Sequence, residues 1–440
     1  MKYKSYQFHN YASIKGIEKL TAADHKAIEI TGQVLPFKAN NYVTEQLIDW
    51  DNIPEDPIFT LCFPRKDMLQ ANHFEQLEQL MNAGAASAKF KKTVDVIRRE
   101  LNPNPAGQHL NVPQVDNVTL NGMQHKYKET VLFFPTQGQT CHAYCTFCFR
   151  WSQFSKIEGM RFAMKESELL VKYLQQHREV TDILFTGGDP LTMSASHISR
   201  YVDALLNNDL YNIQTIRFGT KAFAFWPYRF LNDPDADDLL RIFDNIVQSG
   251  KNLAIMAHFS HPRELSTTAV QAAIRRVRST GAQIRTQSPL LNHINNDPAV
   301  WAEMWRKQAN LNCIPYYMFV ARNTGAKEFF EIPLVDCWDV FRKAYRQVSG
   351  VCRTVRGPSM STMPGKIQVL GVNDEMGEKV FVLRFLQGRN PEWVQRPFFA
   401  KYDPKATWLD TLKPAFGKQK FFFEDDSTSD MDIYEFAYLS

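Results

Sequence analysis

From about residue 130 the chain alternates short β-branched and aromatic runs with amphipathic stretches of about 10 to 15 residues. That alternation restricts the fold more than any other feature, because parallel strands need a crossover of about a dozen residues, usually a helix. Six runs read as strands: Val131–Pro135, Asp182–Phe185, Thr215–Phe218, Leu253–His258, Gln283–Gln287 and Tyr316–Val320. Helix candidates follow at Glu166–His177, His197–Leu206, Asp237–Gln248, Thr267–Ser279, Ala299–Ala309 and Val335–Val348, several opened by Ser, Thr or Asp caps. The expected fold class is therefore α/β, a partial (βα)6 TIM-like barrel, in which loops at the carboxyl ends of the strands carry the chemistry. Residues 1–125 read as an accessory helical segment with helices over His73–Met81 and Lys91–Leu101 and a proline-rich turn at Asn102–Ala106. Residues 126–365 form the barrel. Residues 366–440 form a small β-containing extension with strands at Lys366–Val372 and Lys379–Phe385 and an acidic end, Glu424–Asp432.

Three cysteines, Cys141, Cys145 and Cys148, fall in the loop after the first predicted strand with the spacing CxxxCxxC. Three thiolates so close in sequence can converge on one metal centre. Protein iron-sulfur clusters usually take four cysteines. With three, one iron of a [4Fe-4S] cluster keeps an open position, which can chelate the amino and carboxylate groups of S-adenosylmethionine. A zinc site is the alternative, but it needs four ligands and ordinarily a second CxxC or HxxxH pair. No such pair follows, although His142 and one distant cysteine could complete a set. With Phe147 before the last cysteine, the spacing resembles the pattern of the radical S-adenosylmethionine superfamily.

The second signal is FTGGDPL, Phe185–Leu191, directly after the second strand. Gly187 and Gly188 let the backbone approach a neighbour closely, and Asp189 could accept from an ammonium group. Taken alone, GGDP is a turn. In the superfamily such a segment holds the amino group of S-adenosylmethionine.

Composition narrows the partners. Net charge is +4 over 51 basic and 47 acidic side chains, without the concentrated basic face of a nucleic-acid binder. No run approaches the roughly 18 to 20 apolar residues that span a bilayer, and the first residues lack an apolar leader core. A cytoplasmic location without membrane or nucleic-acid partners is expected. The four other cysteines, at 62, 313, 337 and 352, are isolated, which suits a reducing compartment better than a disulfide framework.

From roughly residue 120 to 390 the sequence is similar to one branch of the superfamily, the lysine 2,3-aminomutase family. The landmarks are HKY at His125–Tyr127, CFR at Cys148–Arg150, FTGGDPL, AHFSHPREL at Ala257–Leu265, TQSPLLNHIN at Thr286–Asn295 and PYYMFVA at Pro315–Ala321. The resemblance implies a 5′-deoxyadenosyl radical and an amino group that migrates while held as an imine on pyridoxal 5′-phosphate. It implies Lys366 as the lysine that carries that cofactor, Lys126 and Tyr127 at its phosphate, Gln287 at its ring oxygen, His258 at S-adenosylmethionine and Arg150 at the substrate carboxylate. Bland readings stand beside these: a surface lysine opening a strand for Lys366, hydrogen-bonded core residues for His258 and Gln287.

The chain also departs from the family. A second phosphate arginine is replaced by Thr130, and the two aspartates that grip the distal ammonium of lysine are replaced by Arg322 and Ser359. A cationic substrate would meet a like charge there, so an acidic amino acid is favoured over lysine. The competing reading pairs Arg322 with Glu328 or Glu331. The expected protein is thus an isomerase of the 2,3-aminomutase type acting on a small-molecule amino-acid substrate, served by an electron donor such as flavodoxin or ferredoxin, and possible as a homo-oligomer. Its alternatives are a radical enzyme without pyridoxal phosphate (an epimerase, a dehydrogenase-like enzyme, or a modifier of peptide or RNA) and a non-catalytic metal-binding protein.

Overall fold

A computed structural model describes residues 1–84, 86–102, 110–155, 162–375 and 377–425. Positions 103–106 of the expected turn and 426–432 of the expected acidic end lie outside the described residues. Eleven strands form one mixed sheet: β1 Met123–Tyr127, β2 Thr130–Phe133, β3 Asp182–Phe185, β4 Thr215–Thr220, β5 Asn252–His258, β6 Gln283–Leu290, β7 Ile314–Val320, β8 Arg356–Ser361, β9 Gly365–Asn373, β10 Val380–Gly388 and β11 Pro397–Lys401. They lie side by side in chain order. Strands β2 to β8 are parallel, while β1 at one end and β9 to β11 at the other run antiparallel.

The crossovers are helices α1 Ser167–Gln176, α2 Ala195–Leu206, α3 Ala236–Gln248, α4 Thr268–Arg278, α5 Pro298–Asn310 and α6 Leu334–Arg346. Helix α2 shows why these segments are helical. The Ser194 side chain caps the amino end, and Ile198, Tyr201, Val202 and Leu205 recur at helical spacing on the buried face. Each such side chain contributes about 1.5–3 kcal/mol by leaving water. Strand β5 is buried almost throughout, as a parallel strand covered on both faces must be.

The partial barrel is as expected, with one more parallel strand than the six read from sequence, because Arg356–Ser361 pairs parallel to β7. The proposed divisions of the chain fall inside elements of the sheet. The 125/126 boundary cuts β1, and Lys366 is the second residue of β9, which pairs directly with β8. Helices Ala22–Val34, Pro57–Cys62, Ala71–Asn82 and Ser87–Glu100 precede the sheet. One continuous apolar core includes residues from Tyr6 to Phe423, so the flanking segments pack into one core with the barrel. Among the described residues no helix is long and apolar enough to cross a membrane.

Candidate active site

The loop after β2 carries Cys141, Cys145 and Cys148, all free thiols. The amino-terminal segment holds it from outside. Tyr3 Oη donates to the His142 carbonyl at 2.7 Å, Asn40 Nδ2 to the same carbonyl at 3.1 Å and to that of Phe225 at 2.8 Å, and Lys38 Nζ to the Cys141 carbonyl at 2.7 Å. Thr146 binds the carbonyls of Leu61 and Thr60. Sequence reading missed these anchors, since nothing in a lone Lys38 or Asn40 marks a partner about a hundred positions away.

The loop after β3 presses on the same segment from inside. A Cβ on Gly188 would lie 2.4 Å from the Thr140 carbonyl oxygen, and one on Gly187, at φ +132°, 2.2 Å from Gln139 Nε2. Both glycines therefore admit the chain leading into Cys141. Asp189, 3% exposed, is already engaged: its carboxylate accepts from Leu191 N at 3.0 Å, Thr220 Oγ1 at 2.8 Å and Lys221 N at 2.8 Å. Burial still raises its pKa to about 6. The expected open acceptor for an ammonium is instead a clamp joining the β3 and β4 loops behind the cysteines.

Burial pushes all three thiols up, and the Asp189 carboxylate and the neighbouring thiols add to this at Cys141. The three therefore cluster. Yet among the described residues no three His, Cys, Asp or Glu close tightly enough to hold a single ion. Three thiolates on one loop are the donor set a four-iron cluster would take, with one iron left open. Beside it, His258 packs on Phe147 with ring centroids 6.3 Å apart, and its buried Nδ1 has no hydrogen-bond partner. Burial, with Lys221 nearby, lowers its pKa to about 3, so the ring is neutral. Lys221 is paired at 2.7 Å with Glu264, whose side chain is wholly buried.

Across the barrel mouth stands a group of cations. The Arg150 guanidinium lies 4.6 Å from the Phe134 ring centroid and 5.0 Å from that of Phe149, and Arg322 covers the same Phe149 ring at 5.3 Å. Trp151 Nε1 donates to Thr324 Oγ1 at 3.1 Å, tying the cysteine loop to the loop that carries Arg322. Neither arginine makes an ion pair with a described residue. Glu328 accepts from Gln70 and Glu331 pairs with Lys327, which removes the competing partners for Arg322. The buried Arg322 Nε has no acceptor; Asp410 is an acid within electrostatic reach, without contact. Burial, with Arg322 beside it, brings Arg150 down to about 10.

Lys366 is not a surface lysine. Its Nζ lies 4.3 Å from the Tyr317 ring centroid and donates to Gln387 Oε1 at 3.0 Å; burial lowers its pKa to about 8. Gln287 sits opposite Tyr317 in the β6–β7 ladder, which brings it to this neighbourhood. Lys126 donates to the Thr362 carbonyl, and burial, Arg389 and Arg322 hold it well below the usual lysine range. Tyr127, also raised by burial, neighbours Tyr317 and Arg389. Ser359 is fully buried and directs its hydroxyl at the Met318 carbonyl, 3.4 Å away, rather than into open space.

No family model matches the chain. A provisionally named L-lysine 2,3-aminomutase of Aquifex aeolicus is 30% identical over 398 residues, 90% of this chain and 93% of that protein. The chain belongs to the lysine 2,3-aminomutase family. A glutamate 2,3-aminomutase of Clostridioides difficile is 24% identical over 213 residues, 48% of this chain and 47% of its own length. A radical S-adenosylmethionine methyltransferase of Sphaerobacter thermophilus overlays with a TM-score of 0.38 at 17% identity, covering 64% of this chain and 93% of that one. At that score the overlay adds nothing to the fold read from the strand order. Family membership makes the chain a radical S-adenosylmethionine enzyme, with a four-iron cluster and S-adenosylmethionine as the family's equipment.

Proposed function

We propose that the protein is a radical S-adenosylmethionine 2,3-aminomutase for an amino acid with an acidic side chain. The observation that carries this reading is the pair Arg150 and Arg322 on one aromatic ring, with no acid in contact among the described residues. Two recessed guanidinium groups without a counterion are costly unless an anion joins them. A substrate with carboxylates at both ends satisfies both: Arg150, next to the cysteine loop, takes the α-carboxylate, and Arg322 takes the distal one. A distal ammonium would meet Arg322 as a like charge.

When bound, the cluster and S-adenosylmethionine supply a carbon radical, and pyridoxal phosphate supplies the imine through which an amino group moves between adjacent carbons. For the chain's part, Cys141, Cys145 and Cys148 offer the cluster's thiolates, with the glycines at 187 and 188 and Asp189 fixing the loop they stand on. His258 offers S-adenosylmethionine a neutral nitrogen. The fit to pyridoxal phosphate rests on Lys366, a recessed amine that is easily deprotonated, and on Lys126, a second recessed amine, which donates to the Thr362 carbonyl. Tyr127 and Gln287 complete the surround, and the buried Phe134 ring lies against Arg150.

The test is anaerobic reconstitution followed by borohydride reduction and peptide mass analysis, then turnover of glutamate, aspartate, lysine and alanine. The expected result is a pyridoxyl group on Lys366 and substrate-dependent consumption of S-adenosylmethionine with an acidic amino acid only. An intact cluster with no adduct on Lys366 sinks the aminomutase reading.

A further inference from the structure

Lys38, in the amino-terminal segment, holds the start of the cysteine loop from two sides. Its backbone carbonyl accepts from the N–H of Tyr144 at 2.8 Å, and its Nζ donates to the Cys141 carbonyl at 2.7 Å and to Thr140 Oγ1 at 3.3 Å. The ammonium also lies 5.8 Å from the centroid of the Tyr144 ring, which is stacked on Phe154. Residues two apart in an extended run share a face, so Asn40 reaches the same loop, at the His142 carbonyl, while Ala39 and Asn40 pair with Tyr6 and Ser5. The position of the charge is thus fixed by backbone as well as by side chain. A different cation stands within electrostatic reach of each thiol: Lys38 for Cys141, Lys221 for Cys145 and Arg150 for Cys148. The three are not equivalent. Lys221 is paired at 2.7 Å with Glu264, and Arg150 is the cation assigned above to the substrate carboxylate. The acceptors of Lys38 are a carbonyl and a hydroxyl, which orient the ammonium without neutralising it, and the Asp189 carboxylate bears on Cys141 with the opposite sign.

We propose that Lys38 is a positioning residue that sets the reduction potential of the iron-sulfur cluster, through a fixed positive charge held behind Cys141. This rests on the cluster as the family's equipment and is independent of pyridoxal phosphate and of the identity of the substrate. Three thiolates leave an oxidised four-iron cluster net negative, and the electron it takes from an external one-electron reductant makes it more so. A cation close to one thiolate therefore favours the reduced form, and a half-buried cation is screened less by salt than an exposed one. One charge at this range is worth about a tenfold change in the reduction equilibrium.

The experiment is a potentiometric titration with dithionite of the anaerobically reconstituted full chain, as wild type, Lys38→Met, Lys38→Gln and Lys38→Arg, followed by the spin signal of the reduced cluster. Lys38→Met removes charge and donor, Lys38→Gln keeps a donor without charge, and Lys38→Arg keeps both. The Met and Gln variants are expected to be about tenfold harder to reduce, a midpoint ~59 mV lower for a one-electron couple, with Lys38→Arg within about twofold of wild type. A lowered midpoint in Lys38→Met with a wild-type midpoint in Lys38→Gln would mean that the hydrogen bond acts and not the charge, and would overturn the proposal. So would wild-type midpoints in both, or a Lys38→Arg midpoint as low as that of Lys38→Met. If Lys38→Met fails to hold a cluster, the Gln and Arg variants decide by the same criteria. A wild type that takes up no four-iron cluster overturns this inference together with the assignment of the cysteines, whereas a wild-type cluster with indifferent variants overturns the role of Lys38 alone.

Discussion

The Lys366 amine gives a pH dependence with a definite sign. Its ordinary value of 10.5 is lowered to about 8 by burial, with Arg217 and Arg356 pushing the same way and Tyr316 opposing them. At pH 7 an amine titrating at about 8 is about one-tenth free base, against about 3 in 10,000 for one at 10.5, a gain of about 300-fold. Only the free base attacks an aldehyde. The initial rate of pyridoxyl labelling at Lys366 should therefore rise about tenfold per pH unit from pH 6, bend near 8 and stay flat to 10. The assay is stopped-time borohydride trapping on reconstituted protein, quantified on the Lys366 peptide so that Lys126 does not contribute. A rate still rising in proportion to hydroxide between pH 9 and 10 would refute the argument that recession among Tyr317, Phe319 and the neighbouring cations sets this amine's basicity.

Three further outcomes follow from named contacts. Arg322→Ala should lower kcat/KM for the acidic substrate by about 10- to 100-fold, one charge-assisted contact, with little change for alanine; equal losses for both would show that Arg322 does not read the distal group. Glu264→Leu strands the Lys221 ammonium, 11% exposed at its side chain, and should cost about 3–5 kcal/mol of stability. The double variant Glu264→Leu/Lys221→Met should recover in thermal melts the part due to the stranded charge, though not the acceptor that Glu264 gives the Ser260 and His261 N–H groups, and a double variant as unstable as the single one would count against a charge effect. Asn40→Ala removes hydrogen bonds to the carbonyls of His142 and Phe225 and should shorten the lifetime of the bound iron against a chelator, followed by the cluster absorbance; an unchanged lifetime would argue that the amino-terminal segment does not brace the cysteine loop.

What could be read from the sequence was what repeats locally. The six barrel strands follow from runs whose own residues favour burial between two layers, and the cysteine triplet follows from spacing alone. Arg356–Ser361 escaped notice because RGPSMS has the composition of a turn, and it becomes a strand only because β7 and β9 pair with it on both sides. The double glycine was legible as a place of close approach, but not which part of the chain approaches: the backbone of Thr140 at Gly188 and the Gln139 side chain at Gly187. Asp189 shows the same limit, since its hydrogen-bond partners Thr220 and Lys221 lie 31 and 32 positions away. Arg322 went the other way. Its chemistry could be inferred from the residue type, but whether it was free depended on Glu328 and Glu331 finding other partners, which only the folded chain decides. That Arg322 is left without an ion pair among the described residues is a property of the whole sheet, in which β1 and the turn after β8 come together and bring Lys126 and Lys366 within electrostatic reach of one another and Lys126 within reach of Arg322.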